Sequence, residues 1–237
     1  METITYEKRA SDFEKLETAA PSELAFHDLH AKNHLNRNKY NITAWLYDIL
    51  DLPWELQYRK WRPDLVGDLR GEVLEAGVGT GRNLKYYHHD VNLTALDFSS
   101  TMLKHAMKRE KDASCNINFV RDDALYMTWV PSDSFDWTLA TFLLCVIPEE
   151  NQKQVINQFA RTLKPGGRFR ILEMVYSKNP SLKKRQDFFA PFVEKVYGAR
   201  FDRNTLKHLE EKDTLKITSS RFLKDDTYLL IEGVRKY

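Results

Sequence analysis

The residues whose spacing could do chemistry begin in VLEAGVGTGRN (73–83), where Gly77, Gly79 and Gly81 alternate just after Glu75. Glycines at this spacing permit positive φ and let the backbone approach a ligand at the mouth of a strand-to-helix turn. The pattern is GxGxG, not the GxGxxG of dinucleotide sites, and a tight turn without a ligand would share it. Asp97 closes LTALD, 20 residues after Gly77. A carboxylate there can accept from both hydroxyls of a ribose, although Ser99 and Ser100 behind it also suit a helix N-cap role. Asp123, in RDDALYM, adds an acceptor suited to an exocyclic amino group such as that of adenine. Together they point to a nucleoside-bearing cofactor.

Other reactive types are scattered. His27, His30 and His34 fall on one helical face of HDLHAKNH, as candidate bases or as a plain polar surface. The first and last would stand about 10 Å apart along a helix, so no metal site is expected. His88 and His89 sit at an expected helix end, where cationic side chains are favoured. Cys115 and Cys145 have no metal-site or disulfide-framework spacing, and Cys145 follows an apolar run as a core residue would.

Positioning these residues requires alternating elements. Strands are expected at 72–75, 92–96, 116–121, 135–140 and 168–174, with helices at 82–88, 99–111 and 149–163, the last ending in the turn LKPGG. Two further strands, 214–222 and 228–234, join at residues 224–226 as a hairpin. The reading is an α/β fold with about seven strands and an antiparallel edge. Residues 1–70 read as an N-terminal helical region, with a helix at 41–50 and a second opened by Pro53 and ended or kinked by Pro63; the core occupies 71–237.

The ensemble EAGVGTG, LDFSSTML, RDDA, FDWTLATFLLCVIPE and RTLKPGGRFRILE resembles the successive motifs of class I S-adenosylmethionine-dependent methyltransferases over residues 71–176, and the terminal hairpin resembles that family's reversed last strands. The resemblance implies a Rossmann-like seven-stranded sheet of order 3-2-1-4-5-7-6, helices on both faces and S-adenosyl-L-methionine across the carboxyl ends of the first four strands. Carried over by position, Gly77, Gly79 and Gly81 would face the methionine part and Glu75 would hold their loop. Asp97 would take the ribose, Phe98 and Met102 would flank the adenine, and Asp123 with Ala124 would meet its amino edge. Thr141 and Phe142 would lie near the transferred methyl group. YNITAWLYDIL (40–50) resembles a segment of the ubiquinone, menaquinone and phospholipid methyltransferase group that folds over the cofactor, which makes Tyr40 and Tyr47 candidates to close the site. Packing of an amphipathic helix would serve equally for Tyr47.

Such an enzyme (EC 2.1.1.-) needs mainly to align its acceptor for in-line displacement, since proximity alone lowers the barrier by several kcal/mol. No single catalytic residue is therefore required; Tyr47, Tyr40, His27 and His30 are the candidates. The acceptor expected from the resemblance is a small or lipid-like molecule. Phe188, Phe192 and Tyr197, behind the basic start of SLKKRQDFFAPFVEKVYGARF (181–201), could line its pocket, lean on a membrane surface, or simply pack as the last crossover helix. Lys plus Arg number 36 against 34 for Asp plus Glu, a net +2. That is too balanced for affinity driven by phosphate neutralisation, so no nucleic-acid partner is expected. A nucleic-acid or protein methyltransferase on the same fold, or a cofactor-binding partner protein without activity, is the alternative. The opening METITYEKRASDFEKLETAA lacks the apolar core of a signal peptide, so a cytoplasmic protein with reduced thiols is expected.

Overall fold

The computed structural model describes residues 52–237, with side chains from Glu55 onward. The expected helix at 41–50, Tyr40, Tyr47, His27, His30 and His34 lie outside the described residues. Helix α1 (Leu52–Val66) leads into strands β1 (Gly71–Ala76) and β2 (Val91–Asp97), helix α2 (Ser100–Arg109), and strands β3 (Asn116–Arg121) and β4 (Phe135–Thr141). Helix α3 (Glu149–Thr162), strand β5 (Leu163–Met174), helices α4 (Pro180–Tyr197) and α5 (Thr205–Glu210), and the hairpin β6 (Leu215–Phe222) and β7 (Tyr228–Arg235) complete the chain.

The sheet runs β3-β2-β1-β4-β5-β7-β6, the order implied by the motifs. Strands β1 to β5 are parallel, and β7 is antiparallel to both β5 and β6. The central strands are covered on both faces, which is why β1 is buried from Val73 to Ala76 without alternation. On one face Leu74, Ala76, Ala140, Phe169, Ile171 and Ile231 pack with Val155, Ile156, Phe159 and Ala160, the apolar stripe of α3.

On the opposite face, Arg170 of β5 holds α1 to the sheet. Its guanidinium meets both oxygens of Asp68 at 2.7 and 3.0 Å, Glu232 at 2.8 Å and the Leu65 carbonyl at 2.8 Å. The ring of Trp137 lies 5.2 Å away. Arg170 is only 6% exposed, and a buried cation is tolerated because its donors are met.

Three local expectations are corrected. The helix at 82–88 is a single 3-10 turn, Leu84–Tyr86. Residues 77–90 must form the glycine turn and still return to the start of β2, which leaves too little chain for a full crossover helix. Pro63 does not end α1, which continues to Val66; its carbonyl accepts from the Gly67 N–H at 2.8 Å and closes the last turn. LKPGG is no helix-ending turn. It lies inside β5, where the register against β4 jumps from Phe135↔Leu163 to Trp137↔Arg168 and Gly166 takes φ +76° to make the bulge.

Candidate active site

The site forms at the carboxyl edge of the parallel strands. Gly77 and Val78 donate to the Leu96 carbonyl at 2.8 and 2.9 Å, which binds the loop after β1 to the end of β2. All three loop glycines have positive φ, but space distinguishes them. A Cβ on Gly77 would come 2.9 Å from Leu143, and one on Gly81 would come 2.8 Å from Ala106. One on Gly79 would meet nothing within 4 Å. Gly77 and Gly81 are therefore required by packing, and Gly79 borders open space suited to a ligand.

Asp97 faces this loop. Its Oδ2 accepts from Gly79 N–H and its Oδ1 from Ser99 N–H, both at 2.9 Å. Burial pushes its carboxyl up to about 6, against the opposing pull of the Ser99, Gly79 and Phe98 N–H groups. The N-cap of α2 is Ser99, whose Oγ accepts from Met102 N–H at 3.3 Å, so Asp97 is not needed as the cap. A carboxylate oxygen can accept more than one hydrogen bond, so Asp97 has acceptor capacity beyond these loop N–H groups. Phe98 is half-buried, Met102 is buried on the first turn of α2, and Ala124 is buried after β3. Asp123 Oδ1 accepts from Leu125 N–H at 3.0 Å, and the Asp122 N–H reaches the Asp97 carbonyl at 3.3 Å, joining the second and third strand ends.

Glu75 supports the loop through a buried network. Asn83 donates to it at 2.6 Å and the Tyr87 hydroxyl at 3.0 Å. Arg62 of α1 donates to the Asn83 carbonyl oxygen at 2.5 Å and to Glu55 at 2.7 Å, and Arg82 reaches the same Glu55 oxygen at 2.7 Å. Burial pushes the Glu75 carboxyl up to about 7, while Asn83, Tyr87 and Arg62 hold it down.

At the end of β4, Asn83 also contacts the Thr141 hydroxyl at 3.4 Å. Phe142 has φ +56°, strained for a bulky residue, while its N–H donates to the Leu172 carbonyl at 2.8 Å. Its ring packs against Tyr58 of α1 at 4.8 Å, and Tyr58 and Trp61 stand 5.7 and 5.2 Å from Tyr228. An aromatic cluster thus covers the strand end where methyl transfer was expected. Of this cluster only Phe142 was singled out from sequence as a site residue; Tyr58, Trp61 and Tyr228, like Arg62 and Asn83, were not, because only the fold brings them to the strand end. Cys145 is fully buried with its thiol against the Phe142 carbonyl at 3.3 Å, and burial raises its pKa, as a core cysteine requires. His88 and His89 lie in the turn before β2, not at a regular helix end.

Residues 73–167 match the family model described as a methyltransferase domain. The match falls within residues 71–176, where the motifs resemble those of class I S-adenosylmethionine-dependent methyltransferases. A phosphatidylethanolamine N-methyltransferase of Cereibacter sphaeroides is 40% identical over 101 residues, 41% of this chain and 47% of that protein. A demethylmenaquinone methyltransferase of Renibacterium salmoninarum is 31% identical over 137 residues, covering 57% and 54% respectively. The chain spans about half the length of these curated relatives. The N-methyltransferase NodS of Bradyrhizobium japonicum, solved with S-adenosyl-L-homocysteine, superposes with a TM-score of 0.56 at 17% identity, over 77% of this chain and 87% of that one, a likeness of fold. The open space beside Gly79 adjoins the buried Asp97 carboxylate, an acceptor whose chemistry suits the hydroxyls of a nucleoside.

Proposed function

We propose that the chain transfers a methyl group from S-adenosyl-L-methionine to a small or lipid-like acceptor by in-line displacement. The cofactor supplies an electrophilic methyl group on a sulfonium, with a neutral thioether as leaving group. The chain's own residues bind and orient. In this reading Asp97 accepts from the ribose hydroxyls, Phe98 and Met102 enclose the adenine, and Asp123 with the Ala124 backbone meets the amino edge. Gly77, Gly79 and Gly81 admit the methionine part, Glu75 fixes their loop through Asn83, and Thr141 and Phe142 border the transfer point. In the same reading residues 71–237 are the S-adenosyl-L-methionine-binding core, residues 1–70 an N-terminal region outside it, and Tyr40 and Tyr47 remain candidates to close the site.

The observation that carries the reading is the pairing of the open Gly79 face with the buried Asp97 carboxylate at one strand edge. Incubation with methyl-labelled cofactor and fractionated small-molecule and lipid extracts tests it. Label entering one of those fractions is expected, while label confined to protein or nucleic acid would move the assignment to the alternative substrates on this fold.

A specific surface feature supports membrane contact as part of this reading. The expected packing of α4 is not observed for its phenylalanines: Phe188, Phe189 and Phe192 are 78%, 49% and 44% exposed, and only Val193 is buried. Lys184 and Arg185 lie one turn before Phe188 and Phe189 on the same side of α4, so basic charge flanks the exposed apolar patch, a combination suited to an anionic membrane surface.

A further inference from the structure

Between the carboxyl end of β5, helix α5 and the β6–β7 hairpin lies a cavity of about 340 Å³. Its walls mix apolar Leu206, Phe222 and Ile231 with Glu173, Arg203 and Lys178. Much of its polar lining is already engaged: both Asp226 oxygens accept from the Ser177 hydroxyl and the Lys178 N–H, and Thr205 donates to Gln152 at 3.1 Å. Two buried atoms are not. Glu173 Oε2 and Arg203 Nε have no hydrogen-bond partner, although Glu173 is only 1% exposed. The other Glu173 oxygen accepts from Leu144 N–H at 2.9 Å, so the carboxyl group is held in place rather than free to turn towards Arg203.

A buried acceptor and a buried donor, each left unmet beside the same cavity, cost the fold free energy that a ligand would return. Arg203 calls for an oxyanion. Glu173 calls for a donor, and burial pushes its carboxyl up to about 8, held back chiefly by the Leu144 N–H with Cys145 and Arg203 contributing less. A donor that brings positive charge is the kind that favours its ionised form. At roughly 30 Å³ per water-sized group, the volume suits a molecule of about ten non-hydrogen atoms. We infer that this cavity is a binding site for a short free zwitterion, its cationic nitrogen on Glu173 and its oxyanion on Arg203. The inference stands apart from methyl transfer, because it rests on groups that the cofactor reading does not use.

Isothermal titration of the full chain, without cofactor, tests it with β-alanine and O-phosphoethanolamine as zwitterions and with ethanolamine and inorganic phosphate as single-charge controls. One zwitterion should bind once per chain, at least tenfold more tightly than either control. Arg203→Met and Glu173→Gln should each weaken it at least tenfold, and Arg203→Lys should restore part of the loss. Arg203 carries the test by itself should Glu173→Gln fold poorly. Zwitterions binding no better than the controls, or binding undiminished in Arg203→Met, would overturn the assignment.

Discussion

Arg62 and Asn83 stand 21 positions apart in sequence, yet the guanidinium of one donates to the side-chain carbonyl of the other at 2.5 Å in a buried contact. Asn83 passes the constraint to Glu75, which lies at the root of the glycine turn. The orientation of α1 and the shape of the cofactor loop are therefore coupled. Arg62→Met should lower stability by about 2 kcal/mol, the scale of leaving buried polar partners unmet. It should also weaken cofactor binding several-fold although Arg62 is not proposed to touch the cofactor, a combination measured by thermal unfolding and calorimetry on the same variant.

The loop glycines should separate stability from binding. Gly81→Ala combines positive φ with a contact 2.8 Å from Ala106, so a loss of about 3 kcal/mol is expected. Gly79→Ala meets no protein atom, so the strain of its backbone, about 1 kcal/mol, is the expected cost. Its methyl group enters the proposed cofactor space, and affinity for S-adenosyl-L-homocysteine should fall at least tenfold. Equal effects of the two substitutions on both measurements would contradict this division.

The pH dependence follows from Glu173. Its folded pKa, about 8, lies above the ordinary value of 4.5, so between those values the native state binds more protons than the unfolded chain. The contribution of this group to stability is then greatest at acid pH and declines as pH rises towards 8, at up to about 1.4 kcal/mol per pH unit. Glu173→Gln removes the titration. Relative to the parent, the variant should gain stability steadily from pH 5 to pH 8, as read from paired denaturant titrations; a constant difference would rule out the raised pKa.

The exposed face of α4 makes a prediction that folding cannot mimic. Replacing Phe188 and Phe192 by Ser should change stability by less than about 0.5 kcal/mol for each exposed site. Sedimentation with vesicles containing phosphatidylglycerol should fall sharply and should fall further at high salt, since Lys183, Lys184 and Arg185 act through screened charge.

The alternation of strands and helices was legible because it depends on local pattern, such as the apolar runs in β1 and β2; the strand order followed from the resemblance of the motifs, and the three glycines and the carboxylates at successive strand ends do gather at one sheet edge. What was not legible depends on long-range pairing. Arg170 reads as one more charge in RFRILE, and only the fold brings it to Asp68, 102 positions away. Arg62 in RKWRPD has the same character, and so does Glu173, whose unmet oxygen is visible only beside the cavity. The bulge at LKPGG was missed for the reverse reason, since its turn signal was correct but lay within a strand. Phe188 and its neighbours left packing and exposure open, because a sequence pattern does not reveal which side of a crossover helix has a partner.

The most direct test of the central claim is calorimetric titration of S-adenosyl-L-homocysteine into the parent chain and into Asp97→Ala, with unfolding curves to verify that both are folded. Two charge-assisted hydrogen bonds to the ribose are worth about 1.5–3 kcal/mol each. The account predicts one site per chain in the parent and a loss of at least tenfold in the variant. No binding to the parent, or equal affinity in folded Asp97→Ala, would contradict it.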